Sequence, residues 1–334
     1  MATQGLRGLT LDLRVERFPY HQPFRISGHV FTETALLVAE LSDGEHVGRG
    51  EGAGVYYLGD DIDHMIAEAA RARGAIEQGA TREDLQTLLP PGGARNALDC
   101  AFWDLEAKRQ GRPVWELAGL SAPQPLRSTL TLGADSAGNM AKAALAIDPE
   151  APVKVKLTGD LRDDIARVVA IRTARPDAWI GVDANQGYDV ATLAQLLPVL
   201  VDARVAQLEQ PLKRGREADL DGLKRPLPFV ADESALSFAD TASLVGRFDV
   251  VNIKLDKCGG LTEGLAIARQ AKTLGLDVMV GNMMGTSLSM APSYLVGQLC
   301  DIVDLDGPTF LAHDRDPGVE YRGGMVHCPP EIWG

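Results

Sequence analysis

The chain has 334 residues, 45% hydrophobic and 24% charged, with a formal net charge of −13 at pH 7. That composition is the one of an ordinary globular protein, and the acidic balance excludes a nucleic-acid backbone or an anionic membrane surface as the expected partner. No apolar run of about 18 residues exists, so no membrane span is expected.

The first 20 residues alternate apolar with charged and hold no signal-peptide core. Cys100, Cys258, Cys300 and Cys328 are scattered and read as reduced thiols of a cytoplasmic protein, or as small hydrophobes. Residues 6–18 carry Leu9, Leu11, Leu13 and Val15 on one face, the alternation of a half-buried strand. A loop with Pro19, Pro23 and Gly28 is expected next, then strands over 34–41 and 47–51 in a small antiparallel meander. Residues 60–118 read as helical. Ile62, Met65, Ile66 and Ala69 share a face, and Thr81-Arg82-Glu83-Asp84 has the form of a capping box. Residues 94–110 place Ala97, Leu98, Ala101, Phe102 and Leu105 on one stripe, stopped by Gly111 with Pro113 beyond. Gly119, Pro123 and Pro125 mark a boundary at 119–126.

From Arg127 an α/β alternation begins. After a first strand at 127–132, short β-branched runs end on Lys156, Asp183, Glu209, Asp232, Lys254 and Asp304. The gaps are 27, 26, 23, 22 and 50, the last being two steps of 25. Such a step fits one strand, one helix and two loops, and residues 276–280 supply the seventh strand. Helices are expected over 137–147, 161–174, 190–201, 239–246, 261–274 and 288–299, with only a short one in 215–223. Charges repeated at the C-terminal ends of parallel strands are where a β/α barrel keeps its active site.

On numbered strands the charges become a geometry. Asp183, Glu209 and Asp232 end strands three, four and five, one contiguous arc. Three acids at one mouth repel unless a cation joins them, and three oxygen ligands suit Mg²⁺, or equally Mn²⁺. Lys156 and Lys254 end strands two and six, which are opposed and flank that arc. Lys154 points the same way as Lys156. Nearby cations are expected to lower the lysine pKa values toward those of general bases. A substrate carboxylate on the metal would have its enolate form stabilised, so the expected chemistry is proton abstraction α to a carboxylate, with a base on each face. Strand eight reads Asp304-Leu305-Asp306, and paired acids there suit the far end of a substrate that carries an ammonium group. Carboxylate, Cα, amide and ammonium in a line describe a dipeptide.

These motifs resemble the enolase superfamily, within it the muconate-lactonizing subgroup. Lys154-Val155-Lys156 is similar to its K-x-K motif, in which the second lysine is the base. Asp183 in Val182-Asp183-Ala184-Asn185, Glu209 in Glu209-Gln210-Pro211-Leu212 and Asp232 in Ala231-Asp232-Glu233-Ser234 are similar to its three Mg²⁺ ligands. Lys254 in Asn252-Ile253-Lys254-Leu255-Asp256-Lys257-Cys258-Gly259-Gly260 is similar to the opposing base, and Ala97-Leu98-Asp99 through Gly111-Arg112-Pro113 to a capping-domain helix. A lysine base with Mg²⁺ is general to that superfamily. The resemblance implies an α/β fold: a (β/α)7β modified TIM barrel at 123–313, an N-terminal α+β capping domain at 1–122, and a tail, 314–334, packing on the capping domain. It also implies a homo-oligomer. The D-x-D of Asp304 and Asp306 is similar to the dipeptide epimerase branch of L-Ala-D/L-Glu type, where it binds the amino group. A loop near 18–28, holding Phe18, Phe24 and Arg25, and another near 50–58 close over such barrels. Phe24 and Arg25 are therefore candidate substrate-binding residues, Arg25 for a side-chain carboxylate. The loop Gly281-Asn282-Met283-Met284-Gly285-Thr286-Ser287 lacks the acidic residue that many relatives carry there.

The leading expectation is an isomerase that epimerises the C-terminal residue of a dipeptide by a two-lysine enolate mechanism. An N-acyl amino acid racemase, for example of N-acylglutamate, needs the same metal and bases without the ammonium contact. An o-succinylbenzoate synthase-like or muconate cycloisomerase-like lyase also stays open, as does a non-catalytic peptide-binding barrel. Gly50-Glu51-Gly52-Ala53-Gly54 lacks the helix of a nucleotide loop, Thr286 and Ser287 read as a helix cap, and Asp256 and Lys257 are either functional or form a turn.

Overall fold

The computed structural model describes residues 8–26 and 29–334. Residues 6 and 7 of the expected first strand, and Gly28 of the loop after it, lie outside the described residues. Strands β1 (Thr10–Ile26), β2 (His29–Ser42) and β3 (Val47–Ala53) form an antiparallel sheet in that order. The loop expected around Pro19 and Pro23 is instead part of β1. β1 is an edge strand, where a missing N–H is tolerated, and its pairing with β2 shifts register between Pro19 and Phe24.

Helices α1 (Ile62–Glu77), α2 (Arg82–Leu88), α3 (Gly93–Gln110) and α4 (Val114–Leu117) follow. The capping box is present: Thr81 accepts from the Asp84 N–H and Asp84 accepts from that of Thr81. α3 lies directly on β3 because β3 carries glycine at 48, 50 and 52. A Cβ at Gly50 would stand 2.0 Å from Ala97 O and 2.7 Å from Ala101 N. Backbone cannot yield as a side-chain tip can, so Gly50→Ala is expected to cost about 3 kcal/mol, the upper end of overpacking effects. Urea unfolding reads this, and an unchanged midpoint would show that helix and sheet separate freely.

The barrel strands are β5 (Leu130–Leu132), β6 (Val153–Lys156), β7 (Ile180–Asp183), β8 (Gln207–Glu209), β9 (Phe229–Ala231), β10 (Val250–Ile253), β11 (Asp277–Val280) and β12 (Ile302–Val303), in sequential parallel order. β4 (Leu126–Arg127) precedes them. A parallel bridge between Ser128 and Val303, with Thr129 N donating to Val303 O at 3.0 Å, joins the two edges. The single strand expected at 127–132 is thus divided. β4 leaves the barrel and pairs with β14 (Met325–His327), which pairs in turn with β13 (Glu320–Arg322).

The outer layer holds α5 (Ala137–Ala146), α6 (Leu161–Ala174), α7 (Val190–Asp202), α8 (Leu255–Cys258), α9 (Leu261–Thr273) and α10 (Ser287–Gly297). The helix expected at 239–246 is a 3-10 turn, Phe238–Leu244, and the short one after β8 is another, Glu217–Leu220. The tail ends on the front sheet and α3. There Trp333 Nε1 donates to Arg49 O at 2.8 Å and Gly334 N to Asp104 Oδ1 at 3.0 Å. Among the described residues no helix is long and apolar enough to cross a membrane.

Candidate active site

Strand alternation sorts the barrel interior into two layers. Val230, Val250 and Met279 form a small apolar cluster inside it. Two residues further along the same strand faces stand Asp232, Asn252 and Gly281, and β7 and β8 place Asp183 and Glu209 in register with each other and with Lys156. The strand ends therefore hold the charges, while on β9, β10 and β11 the layer beneath is apolar and Gln207 of β8 reaches into it to Met279.

Asp183, Glu209 and Asp232 are buried, and one carboxylate oxygen from each lies within 4.8 Å of the others. Three hard oxygen donors converging in this way fit a divalent cation. Lys154 Nζ reaches across the barrel to Asp304 Oδ2 at 2.7 Å, Glu209 Oε2 at 2.8 Å and Asp183 Oδ2 at 3.4 Å. Lys156 Nζ stands 2.6 Å from Asp183 Oδ2, and Lys254 Nζ 2.7 Å from Asp232 Oδ2. The two lysines thus touch the two outer members of the acid arc, from strands four positions apart around the barrel.

Without an ion on the arc, the carboxylates set the electrostatics of the site. Burial lowers the Lys254 pKa, but the Asp232 carboxylate outweighs it, and the ammonium is held above its usual range. For Lys154 burial is likewise outweighed by Asp304, Glu209 and Asp183. With no ion on the arc, the nearest groups to Lys154 and Lys254 are carboxylates, and these raise both. Among the acids, burial is overcome at Asp183 by Lys156 and Lys154, and at Asp232 by Lys254 and Lys257, so both are held low. Glu209 goes the other way, pushed up to about 7 by burial and by Asp183.

The two acids of the D-x-D motif are not equivalent. Asp304 already has a donor on each oxygen: Lys154 on Oδ2 and the Thr129 hydroxyl on Oδ1. Asp306 accepts the Thr131 N–H on Oδ2 at 2.6 Å, and burial together with the Asp304 charge pushes it up to about 7. Both line a cavity of about 260 Å³ with Lys154, Lys156, Lys254 and Asp232. Phe24 forms part of its wall, edge-on to Phe310 at 4.8 Å. Arg25, the next residue, is exposed and is not among the lining residues. The structure therefore gathers the expected residues with the exception of Arg25.

Four further residues belong to the site. Lys257 is fully buried and donates to Asp232 Oδ1 at 2.6 Å and to Asp232 O at 2.5 Å. The sequence leaves it open between a turn and a functional residue, and its spacing of three from Lys254 is the signal for the latter. Asn252 Nδ2 donates to Glu209 Oε1 at 2.9 Å, and the inward period of β10 pointed to it. Glu233 lines the cavity and is pushed up to about 8 by burial and by Asp232. Glu51, in the glycine-rich run of β3, is buried and accepts from Thr286 N at 2.8 Å and from Arg315 Nη2 at 2.7 Å. Arg315 also reaches Glu16 at 2.7 Å, and Thr34 Oγ1 donates to Met284 O at 3.0 Å. Front sheet, tail and the loop after β11 are thereby tied together beside the cavity. Thr286 caps α10 as expected, accepting from Leu288 N.

Residues 10–119 match the mandelate racemase / muconate lactonizing enzyme N-terminal domain, and residues 139–331 the enolase C-terminal domain-like family. The chain is 38% identical to L-Ala-D/L-Glu epimerase of Escherichia coli K12 over 95% of its own length and 99% of the relative's. It is 42% identical to an N-acetyl-D-glutamate racemase of a Pseudoalteromonas species, over 90% and 95%. Among solved structures, an enolase family member from Agrobacterium tumefaciens with homology to dipeptide epimerases, holding sodium and L-Ala-L-Glu, superposes with a TM-score of 0.94. It is 39% identical, and the match covers 98% of this chain and 100% of that one. A dipeptide epimerase from Enterococcus faecalis complexed with Mg and L-Leu-L-Tyr gives 0.88 at 26% identity, over 96% and 97%. With an eight-stranded parallel barrel, an antiparallel front domain and the buried acid arc in place, these matches show that the chain belongs to the enolase superfamily, in its mandelate racemase / muconate-lactonizing group.

Proposed function

We propose that the protein is a Mg²⁺-dependent isomerase that epimerises the C-terminal residue of a dipeptide, of Ala-Glu type, with Lys156 and Lys254 as the two bases. Asp183, Glu209 and Asp232 would hold the ion. When bound, it would draw electron density from a substrate carboxylate and so acidify the adjacent C–H. A cation on the arc would also offset the carboxylate field that now keeps Lys254 protonated, freeing a lysine to accept a proton. With a lysine at each end of the arc, one removes the α-proton and the other delivers a proton to the opposite face. Lys154 balances the acids at the barrel centre. The four unpaired cysteines fit a reducing cytoplasmic setting.

The observation that carries the dipeptide is Asp306. It lines the cavity across the barrel from the acid arc and retains an oxygen beyond the one that accepts from Thr131. Asp306→Asn keeps an acceptor for that N–H while removing the charge. On L-Ala-L-Glu in D₂O, its kcat/KM is expected to fall about tenfold or more, the scale of losing a hydrogen bond to a charged group. A wild-type protein that does not incorporate deuterium into any L,L-dipeptide would refute the reading. N-acylglutamate racemisation is the second reading. It is favoured by the Lys154 ammonium, which already balances the Asp304 charge, and by the likeness to the Pseudoalteromonas racemase. In that case Asp306→Asn leaves turnover of N-acetylglutamate intact.

A further inference from the structure

The chain leaves the two lysines along differently anchored paths. After Lys156 it stays tied to the barrel itself: Thr158 N and Gly159 N donate to Asp164 of α6, at 3.1 and 2.9 Å. After Lys254 it enters α8 at once, with Lys254 as the N-cap residue. This short helix is held from two sides. Lys257 donates inward to Asp232. Asp256 reaches the front domain instead, where its Oδ1 accepts from Ala53 N and from Asn96 Nδ2, both at 2.8 Å. Asp256, Ala53 and Asn96 are all buried.

Ala53 is the last residue of β3, and the loop after it supplies Gly54, Tyr56, Tyr57, Asp60 and Asp61 to the cavity wall. That loop is folded tightly on itself. Gly59 N donates to Tyr56 O at 3.2 Å, and a Cβ at Gly54 would stand 1.9 Å from Asp60 O. A unit closed in this way shifts as one body about its root, and Asp256 holds the root. Lys254 lines the same cavity. One carboxylate oxygen therefore joins the start of the cavity wall to the helix that begins at Lys254.

We propose that Asp256 is a positioning residue for one base only: it fixes α8, and with it the root of the Lys254 side chain, against the front loop, while Lys156 is set by the barrel alone. A misplacement of about 1 Å can cost on the order of a hundredfold in rate, so a loosened α8 slows the proton transfer that Lys254 performs and spares the other. Two N–H donors need an acceptor rather than a charge, and an amide oxygen supplies one. The assignment rests on the two-lysine reading above.

Asp256→Ala, Asp256→Glu and Asp256→Asn test it in saturating Mg²⁺, with the initial deuterium incorporation from D₂O measured by mass on pure L-Ala-L-Glu and on pure L-Ala-D-Glu. The epimer served by Lys254 is the one that Lys254→Ala fails to exchange. Asp256→Ala is expected to slow exchange of that epimer about tenfold or more and of the other less than about threefold. Asp256→Glu keeps an acceptor but lengthens the reach by one carbon, and should slow the same epimer by about threefold or more. Asp256→Asn should hold both within about twofold of the wild type, because its amide oxygen accepts from the same two donors. Arg95 Nη2 to Cys258 O at 2.6 Å and Thr262 N to Asp99 Oδ2 at 2.9 Å still join the domains in all three variants. Equal slowing of both epimers, no slowing in the alanine and glutamate variants, or an asparagine variant as slow as the alanine one would each overturn the assignment. A wild-type protein that exchanges neither epimer would instead overturn the dipeptide reading, and this assignment with it. The two failures are therefore told apart by the wild type alone.

Discussion

Lys254→Ala is expected to abolish net epimerisation, by roughly a thousandfold in kcat/KM, while still exchanging the α-proton of one epimer with D₂O. Lys156→Ala should do the same for the other epimer. The size follows from the range for a positioned acid–base group, about 10² to 10⁴; the asymmetry follows from geometry. Lys156 stands at the Asp183 end of the acid arc and Lys254 at the Asp232 end. A carbon held between them presents one face to each, so each lysine meets the proton of one configuration only. Removing either leaves its acid partnered. Asp232 keeps Lys257 at 2.6 Å, and Asp183 keeps Lys154 at 3.4 Å. Neither variant strands a buried charge, the case that costs several kcal/mol, so both should fold and the loss can be read as chemistry. Mass spectrometry of each pure epimer in D₂O separates the outcomes. If both variants exchange both epimers at the wild-type rate, neither lysine moves the α-proton.

The charged strand ends were legible in the sequence because a parallel strand writes its own signature: an apolar run, then a polar residue where the chain leaves the sheet. The period between them carried the topology too. What stayed hidden was set by distant partners. Nothing in Asp304-Leu305-Asp306 reveals that Lys154, 150 residues earlier, neutralises the first acid and leaves the second open. Lys257 looks like a turn residue until α8 folds it under Asp232. Pro19 and Pro23 point to a loop because proline marks one in most contexts; only the edge position of β1 makes them tolerable in a strand. The run at 127–132 was divided because barrel closure through Ser128 and Val303 competes with pairing to the tail. Arg25 follows Phe24 on a strand, and adjacent strand residues face opposite ways. Its ring neighbour reaches the cavity and the guanidinium does not.

Chelation should have an effect as large as loss of a lysine, and its pH dependence tests the acid arc itself. EDTA is expected to remove turnover, and Mg²⁺ to restore it. In Glu209→Gln, restoration should need more than the 10- to 100-fold extra metal typical of losing an outer partner. Without a cation, Glu209 in the folded protein is pushed up to about 7 from an ordinary value of 4.5. Between those pH values the folded state holds a proton that the unfolded chain has released. Stability from this group is therefore fullest below about 4.5 and falls as pH rises toward 7, at up to about 1.4 kcal/mol per pH unit. Asp183 and Asp232 are held low and stay ionised throughout that window, so they add no opposing slope. A divalent ion needs all three carboxylates charged, so below pH 7 it must displace the Glu209 proton and above it need not. The Tm gain on adding a fixed Mg²⁺ concentration, which follows the apparent affinity by mass action, should grow from pH 5.5 to pH 7 and then level off. Glu209→Gln should lose both the gain and its slope. A gain that is flat across that range would mean that Glu209 is already ionised before the cation arrives, and that the lysines, with Lys154 at 2.8 Å, balance the arc without it.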